Sequence, residues 1–176
     1  MKAINFSLRS LLMTALLLGI VMALPACVGY RVGSMLPPKY KTVAVPTFVN
    51  RTEEPFLQDE TTSATISEIQ MDGSLKIADM DNADTILTVV LTDFQLRPIR
   101  YSDNRARLAQ EYRLYITASL ILKDRVTDEV VVESPAVQGY SDFLVSGDLS
   151  SSKQAAFPDA AEDLAHKIVE KVVEVW

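Results

Sequence analysis

The chain of 176 residues carries 23 acidic against 17 basic side chains, a formal net charge of −6, with one histidine and one cysteine. The acidic balance excludes a nucleic-acid binder, which needs a basic surface to meet phosphates. A lone cysteine excludes an intramolecular disulfide. A lone histidine leaves neither a His/Cys zinc site nor a Ser/His/Asp triad unless His166 takes part.

Lys2 and Arg9 precede an apolar run from Leu11 to Ala23, and Leu24-Pro25-Ala26-Cys27 closes it. A basic start, an apolar stretch and small residues before a cut make a secretory signal peptide. No charge occurs from Ser10 to Tyr30, a length that could also span a bilayer, but Pro25 would break a helix there. A leucine three places before the cysteine, with alanine just before it, resembles the lipobox of bacterial lipoproteins. The resemblance implies that residues 1–26 are removed and that Cys27 becomes an acylated N-terminus, with diacylglycerol on sulfur and an N-acyl chain. One chain anchors marginally; two or more anchor firmly. Val28 stands where an aspartate commonly marks inner-membrane retention, which favours the outer membrane. Losing residues 1–26 removes Lys2 and Arg9 and no acid, so the remainder is more acidic still. It is long enough for one domain that buries about 68–70% of its unfolded surface.

Residues 27–39 hold two glycines, two prolines and no periodicity, and read as a lipid-anchored tether ahead of one domain over 40–176. Tyr40 to Val49 reads as a strand, with Pro46 placing it near an edge or bulge. The polar turn from Asn50 to Pro55 leads into a helix over Phe56–Met71. Its apolar stripe is Leu57, Ala64, Ile66 and Ile69, and Gly73 is its left-handed cap. Leu75 to Ala78 is a short strand, followed by a polar connection from Asp79 to Asp84.

Thr85 to Leu96 and Glu111 to Lys123 are long strands. In the second, Tyr112, Leu114, Ile116, Ala118, Leu120 and Leu122 share one face, suited to packing under helices. Arg113, Tyr115, Thr117, Ser119 and Lys123 share the other, suited to solvent or a partner. A turn over Asp124–Glu129 precedes Val130-Val131-Val132, with Asp128 able to take the left-handed conformation. Leu144 to Gln154 reads as a loop. A last helix starts at Pro158 with Ala161, Leu164, Ala165, Ile168, Val172 and Val175 on its inner stripe. The order β-α-β-β-β-β-α is an α+β two-layer sandwich, two helices on one face of a mixed sheet.

His166 lies between Glu162 and Glu170 on the polar stripe, where exposure is its default role. No glycine-rich phosphate loop follows a strand, and the carboxylate pairs Glu53-Glu54 and Asp128-Glu129 fall in turns. The expectation is therefore no catalytic residue, no metal and no enzyme; a periplasmic hydrolase would need a constellation this chain does not show. Arg97, Arg100, Arg105 and Arg107 crowd one hairpin of an acidic protein, with Asp103-Asn104 able to turn it. Arginine pairs bidentately with phosphate, so the hairpin could meet an anionic lipid head group. The same arginines could equally serve solubility and edge protection.

Several motifs, taken in order, resemble the LPS-assembly lipoprotein (LptE-like) family. They are Cys27-Val28-Gly29-Tyr30; Val43-Ala44-Val45-Pro46-Thr47-Phe48-Val49-Asn50-Arg51-Thr52; Asp72-Gly73-Ser74-Leu75; Glu111-Tyr112-Arg113-Leu114; and Asp163-Leu164-Ala165 with Ile168-Val169. The resemblance implies a lipoprotein on the periplasmic side of the outer membrane, or within the lumen of an LptD-type β-barrel. There it would plug the barrel and bind lipopolysaccharide in transit. Only Cys27 carries over residue by residue. Lipoproteins that activate peptidoglycan synthases, and relatives of the curli-secretion lipoprotein, open with a similar strand–NxT–helix unit and stand as alternatives.

Overall fold

The computed structural model describes residues 36–101 and 109–174. Cys27, Arg105, Arg107 and Val175 lie outside the described residues. The described residues form six strands: β1 (Thr42–Ala44), β2 (Val49–Asn50), β3 (Lys76–Ile77), β4 (Thr85–Tyr101), β5 (Ala109–Asp124) and β6 (Val130–Leu144). The helices are α1 (Leu57–Asp72), α2 (Leu149–Ala155) and α3 (Phe157–Val173). The sheet runs β3-β1-β4-β5-β6, with β2 pairing β4 farther along. Strands β3, β1 and β2 join in parallel, whereas β4, β5 and β6 are antiparallel. The α+β architecture and the mixed sheet are as the sequence predicts.

Several boundaries differ from expectation, among them that of β4, which runs on from Leu96 to Tyr101. The first strand is broken around Pro46, which cannot donate to a ladder, and the two halves pair with different stretches of β4. The packed domain reaches back to Leu36, which is buried with Tyr40 in the core. Strand β6 continues to Leu144, far beyond Val132. The expected loop after it contains α2, opened by Asp148, whose side chain accepts from the Ser151 N–H at 2.9 Å.

Helix α3 buries Ala161, Leu164, Ala165, Ile168 and Val172 as its periodicity predicts. Helix α1 differs: its buried face is Leu57, Thr61, Thr62, Thr65 and Ile69, not Ala64 and Ile66. Threonine can enter this core because its hydroxyl is satisfied inside the helix. Thr61 donates to the Leu57 carbonyl and Thr65 to that of Thr61, each at 2.8 Å, leaving the methyl groups to pack. Thr62 donates to the Gln58 carbonyl and accepts from the Phe48 N–H at 3.0 Å, tying the broken strand to α1. Gly73 caps α1 at φ 74°, its N–H meeting the Ile69 carbonyl at 3.1 Å.

Beneath the helices, Leu114, Ile116, Ala118, Leu120 and Leu122 of β5 are buried, as are Leu87, Val89 and Leu91 of β4. A β-bulge between Leu91 and Asp93 shifts the alternation of β4 by one residue. Before it the odd positions face the helices; after it Phe94 and Leu96 do. Asp93, Gln95 and Arg97 are thereby turned to the helix-free face.

Candidate functional site

The face of β4, β5 and β6 that no described helix covers, here the helix-free face, carries three side chains per cross-strand row. Arg97 lies opposite Arg113, which lies opposite Asp142; Gln95 opposite Tyr115 and then Tyr140; Asp93 opposite Thr117 and then Gln138. Like charges directly opposite repel, so Arg97 beside Arg113 needs compensation. Asp142 provides it for Arg113, whose guanidinium donates through two nitrogens, one to Asp142 Oδ2 at 2.6 Å. That bidentate pair depresses the Asp142 carboxyl and raises the Arg113 guanidinium, in each case chiefly by the mutual hydrogen bonds.

Arg97 has a neutral partner: its Nε donates to Gln95 Oε1 at 2.9 Å. Its guanidinium lies 5.1 Å from the Tyr115 ring centre, and that of Arg113 lies 4.5 Å from the Tyr140 ring centre. From α3, Lys167 reaches past the edge of β6 to within 4.9 Å of the Tyr140 ring, donating to Asp163 at 2.7 Å and to the Gln138 carbonyl at 3.0 Å. The result is a flat patch of three cations over two tyrosines. Arg113 and Lys167 are paired with carboxylates; among the described residues Arg97 is not. Arg97, with a neutral partner and the Tyr115 ring beside it, can meet an anion through its guanidinium.

Two of the four hairpin arginines are described, and the structure separates their roles. Arg100 pairs with Glu111 at 3.2 Å and is exposed, whereas Arg97 belongs to the patch. Arg113, Tyr115, Tyr140 and Lys167 were not singled out as site residues by the sequence. Only Arg113 and Tyr115, on the helix-free side of one strand, gave a signal. His166 is exposed, and its Nδ1 lies 2.9 Å from Glu68 Oε1 of α1, not against Glu162 or Glu170. That hydrogen bond raises its pKa, against a smaller opposing effect of burial.

A family model described as LptE, lipopolysaccharide-assembly, matches residues 40–172. The chain belongs to the LptE lipopolysaccharide-assembly family. No curated protein matches it in sequence. Among solved structures it resembles protein XCC0632 from Xanthomonas campestris, with 13% identity, 81% of this chain and 90% of that chain covered, and a TM-score of 0.54. Uncharacterized lipoprotein B from Nitrosomonas europaea aligns with 13% identity, 81% and 88% coverage and a TM-score of 0.53. A minor lipoprotein from Acinetobacter baumannii aligns with 13% identity, 76% and 93% coverage and a TM-score of 0.51. At such identity these neighbours establish the fold.

The LptE-like motifs now have physical roles. Asn50 Oδ1 accepts from the Thr52 N–H and hydroxyl at 2.9 and 2.8 Å, folding the turn after β2. Asp163 accepts from the Tyr140 N–H at 2.8 Å, closing part of the free edge of β6. The Leu164 backbone, one residue on, sits over Gly139, which is where α3 meets the sheet. Among the described residues no helix is long and apolar enough to cross a membrane.

Proposed function

We propose that this LptE-family chain is an outer-membrane lipoprotein, held by diacylglycerol and an N-acyl chain on Cys27, that assembles with and plugs an LptD-type β-barrel. In that setting it takes part in moving lipopolysaccharide to the cell surface, as a binding module without catalysis, metal or further cofactor. The observation that carries this reading is the family match across residues 40–172, joined to the lipobox that ends at Cys27. The cation–tyrosine patch supports a ligand with phosphates, and its place on the helix-free face leaves the helices and the core free of that role. Arg97 and Arg100, with Arg105 and Arg107 on the same hairpin, are the head-group contacts.

The test is purification of the tagged full chain from detergent-solubilised outer membranes. The expected result is a stoichiometric outer-membrane β-barrel in the eluate. A peptidoglycan synthase, or a homo-oligomeric ring alone, would replace the reading. Cys27→Ala should accumulate as uncleaved precursor without palmitate label, because the cut follows acylation of that sulfur. Normal processing of Cys27→Ala would remove the anchor.

A further inference from the structure

Phe56 sits between the Asn50–Thr52 turn and α1 with φ 62° and ψ 2°, in the left-handed region. That conformation is uncommon for any residue with a Cβ and a clear outlier for a bulky aromatic one; glycine or asparagine would occupy it with less strain. The side chain gains nothing from the fold in return, being 77% exposed. A strained, solvent-facing phenylalanine is thus a local cost without a local benefit.

The surroundings hold it rigidly. Asn50 Nδ2 donates to the Glu54 carbonyl at 2.7 Å and to Gln58 Oε1 at 3.1 Å, spanning the turn. Lys153 of α2 donates to both oxygens of Glu54 at 2.8 Å, and this ion pair is largely shielded from solvent. Leu57, the next residue, is fully buried. Phe56 and the exposed Pro55 therefore project from a braced turn, and little chain entropy remains to be lost on docking. Among residues 51–60, Glu53, Asp59 and Glu60 are exposed, with Arg51 the one exposed cation.

We propose that Phe56 is the anchor of a protein–protein interface, inserting with Pro55 into an apolar pocket whose rim is basic. Buried aromatic anchors on preorganised loops dominate such interfaces, and surrounding charge selects the partner. The three carboxylates disfavour anionic lipid, so the occupant is a protein surface. Which protein rests on the reading above: an outer-membrane β-barrel.

Photo-crosslinking from position 56 in living cells tests this, with Met71, also 77% exposed and at the other end of α1, as the control position. Position 56 should give one discrete product containing an outer-membrane β-barrel, and position 71 should not. Phe56→Gly should melt no lower than the parent, and up to about 5 °C higher through release of strain, while the barrel recovered with it falls at least tenfold. Phe56→Tyr should restore recovery. A product at 56 containing another protein, lost in Phe56→Gly, keeps the anchor and overturns the barrel reading. Undiminished barrel recovery with Phe56→Gly overturns the anchor and leaves the barrel reading standing. Crosslinks to lipid alone, or equal products from 56 and 71, also overturn it.

Discussion

Asp84 does at one position what longer strands do with ladders. Strand β1 has only three residues, too few to fix its register alone. Asp84 Oδ2 accepts from the Lys41 N–H at 2.9 Å, the Thr42 N–H at 3.0 Å and the Thr42 hydroxyl at 2.9 Å. Its own N–H donates to Thr42 Oγ1 at 2.8 Å, so β1 is locked to the start of β4 from both sides. The Lys41 N–H first, then the Thr42 hydroxyl, hold the Asp84 carboxyl below its ordinary range. A depressed carboxyl contributes stability that is present above its unfolded-state pKa and lost as pH falls through the folded one. Asp84→Ala should therefore cost about 1–2 kcal/mol at pH 7, less than the full worth of bonds to a charged group because part of the site is wet. In urea titrations the gap between parent and variant should narrow below about pH 4. A gap of the same size at pH 7 and pH 2 would mean that the carboxylate charge is not what holds β1. In the sequence Asp84 was one acid in a polar connection; its role depends on Thr42, 42 residues earlier, which no local pattern shows.

At the scale of elements, α3 is legible in the sequence because its inner face is aliphatic, whereas the middle of the inner face of α1 is threonine, whose internal hydroxyl bonds a hydropathy pattern cannot see. Strand β6 runs well past Val130-Val131-Val132, and its Pro135 and Gly139 are tolerated because β6 is an edge strand beneath a helix. Gly139 has no room for a side chain. A Cβ there would lie 2.5 to 2.6 Å from the Leu164 N, Cα and Cβ, so α3 would have to lift from the sheet. Gly73 is the contrasting case, with open space for a Cβ but φ 74°. Gly139→Ala should lose about 2–3 kcal/mol by overpacking against backbone that cannot yield, and Gly73→Ala about 1 kcal/mol by conformation alone. Equilibrium urea unfolding separates the two; a Gly139→Ala protein as stable as the parent would show that α3 does not seat there. The free edges are guarded by the same economy of parts. Asp163 and Lys167 cover polar groups of β6, while beyond Leu91 the outer edge of β4 is disrupted by bulges and by Pro98.

At the scale of the whole molecule, the proposed head-group role requires an acidic chain to meet phosphates through a small region where its sign reverses, and the patch around Arg97 is the candidate. The density of arginine between positions 97 and 107 was visible in the sequence. The outward face of Arg113 was legible too, but its place beside Arg97 and Asp142 was not, because that depends on the register of the three strands. Register also ranks the arginines. Among the described residues Arg97 meets the Gln95 amide and the Tyr115 face and no carboxylate, which would leave its charge available to an incoming phosphate. Arg100 is shared with Glu111, and that carboxylate would repel the same phosphate. Arg97→Glu should accordingly weaken binding of purified lipopolysaccharide more than tenfold at low salt, since a charge-assisted contact is worth about 1.5–3 kcal/mol and the reversal adds repulsion. Arg100→Glu should cost less, and Glu111→Gln should tighten binding by freeing Arg100. All three effects should shrink between about 0.05 and 0.5 M salt, as exposed charges are screened. Circular dichroism and urea midpoints should stay near those of the parent for each variant, because exposed surface changes usually shift stability by no more than about 0.5 kcal/mol. If Arg97→Glu binds lipopolysaccharide as the parent does, the helix-free patch has no part in head-group recognition. If Glu111→Gln weakens binding, Arg100 works through its ion pair with Glu111, and the ranking of the arginines by free charge is wrong.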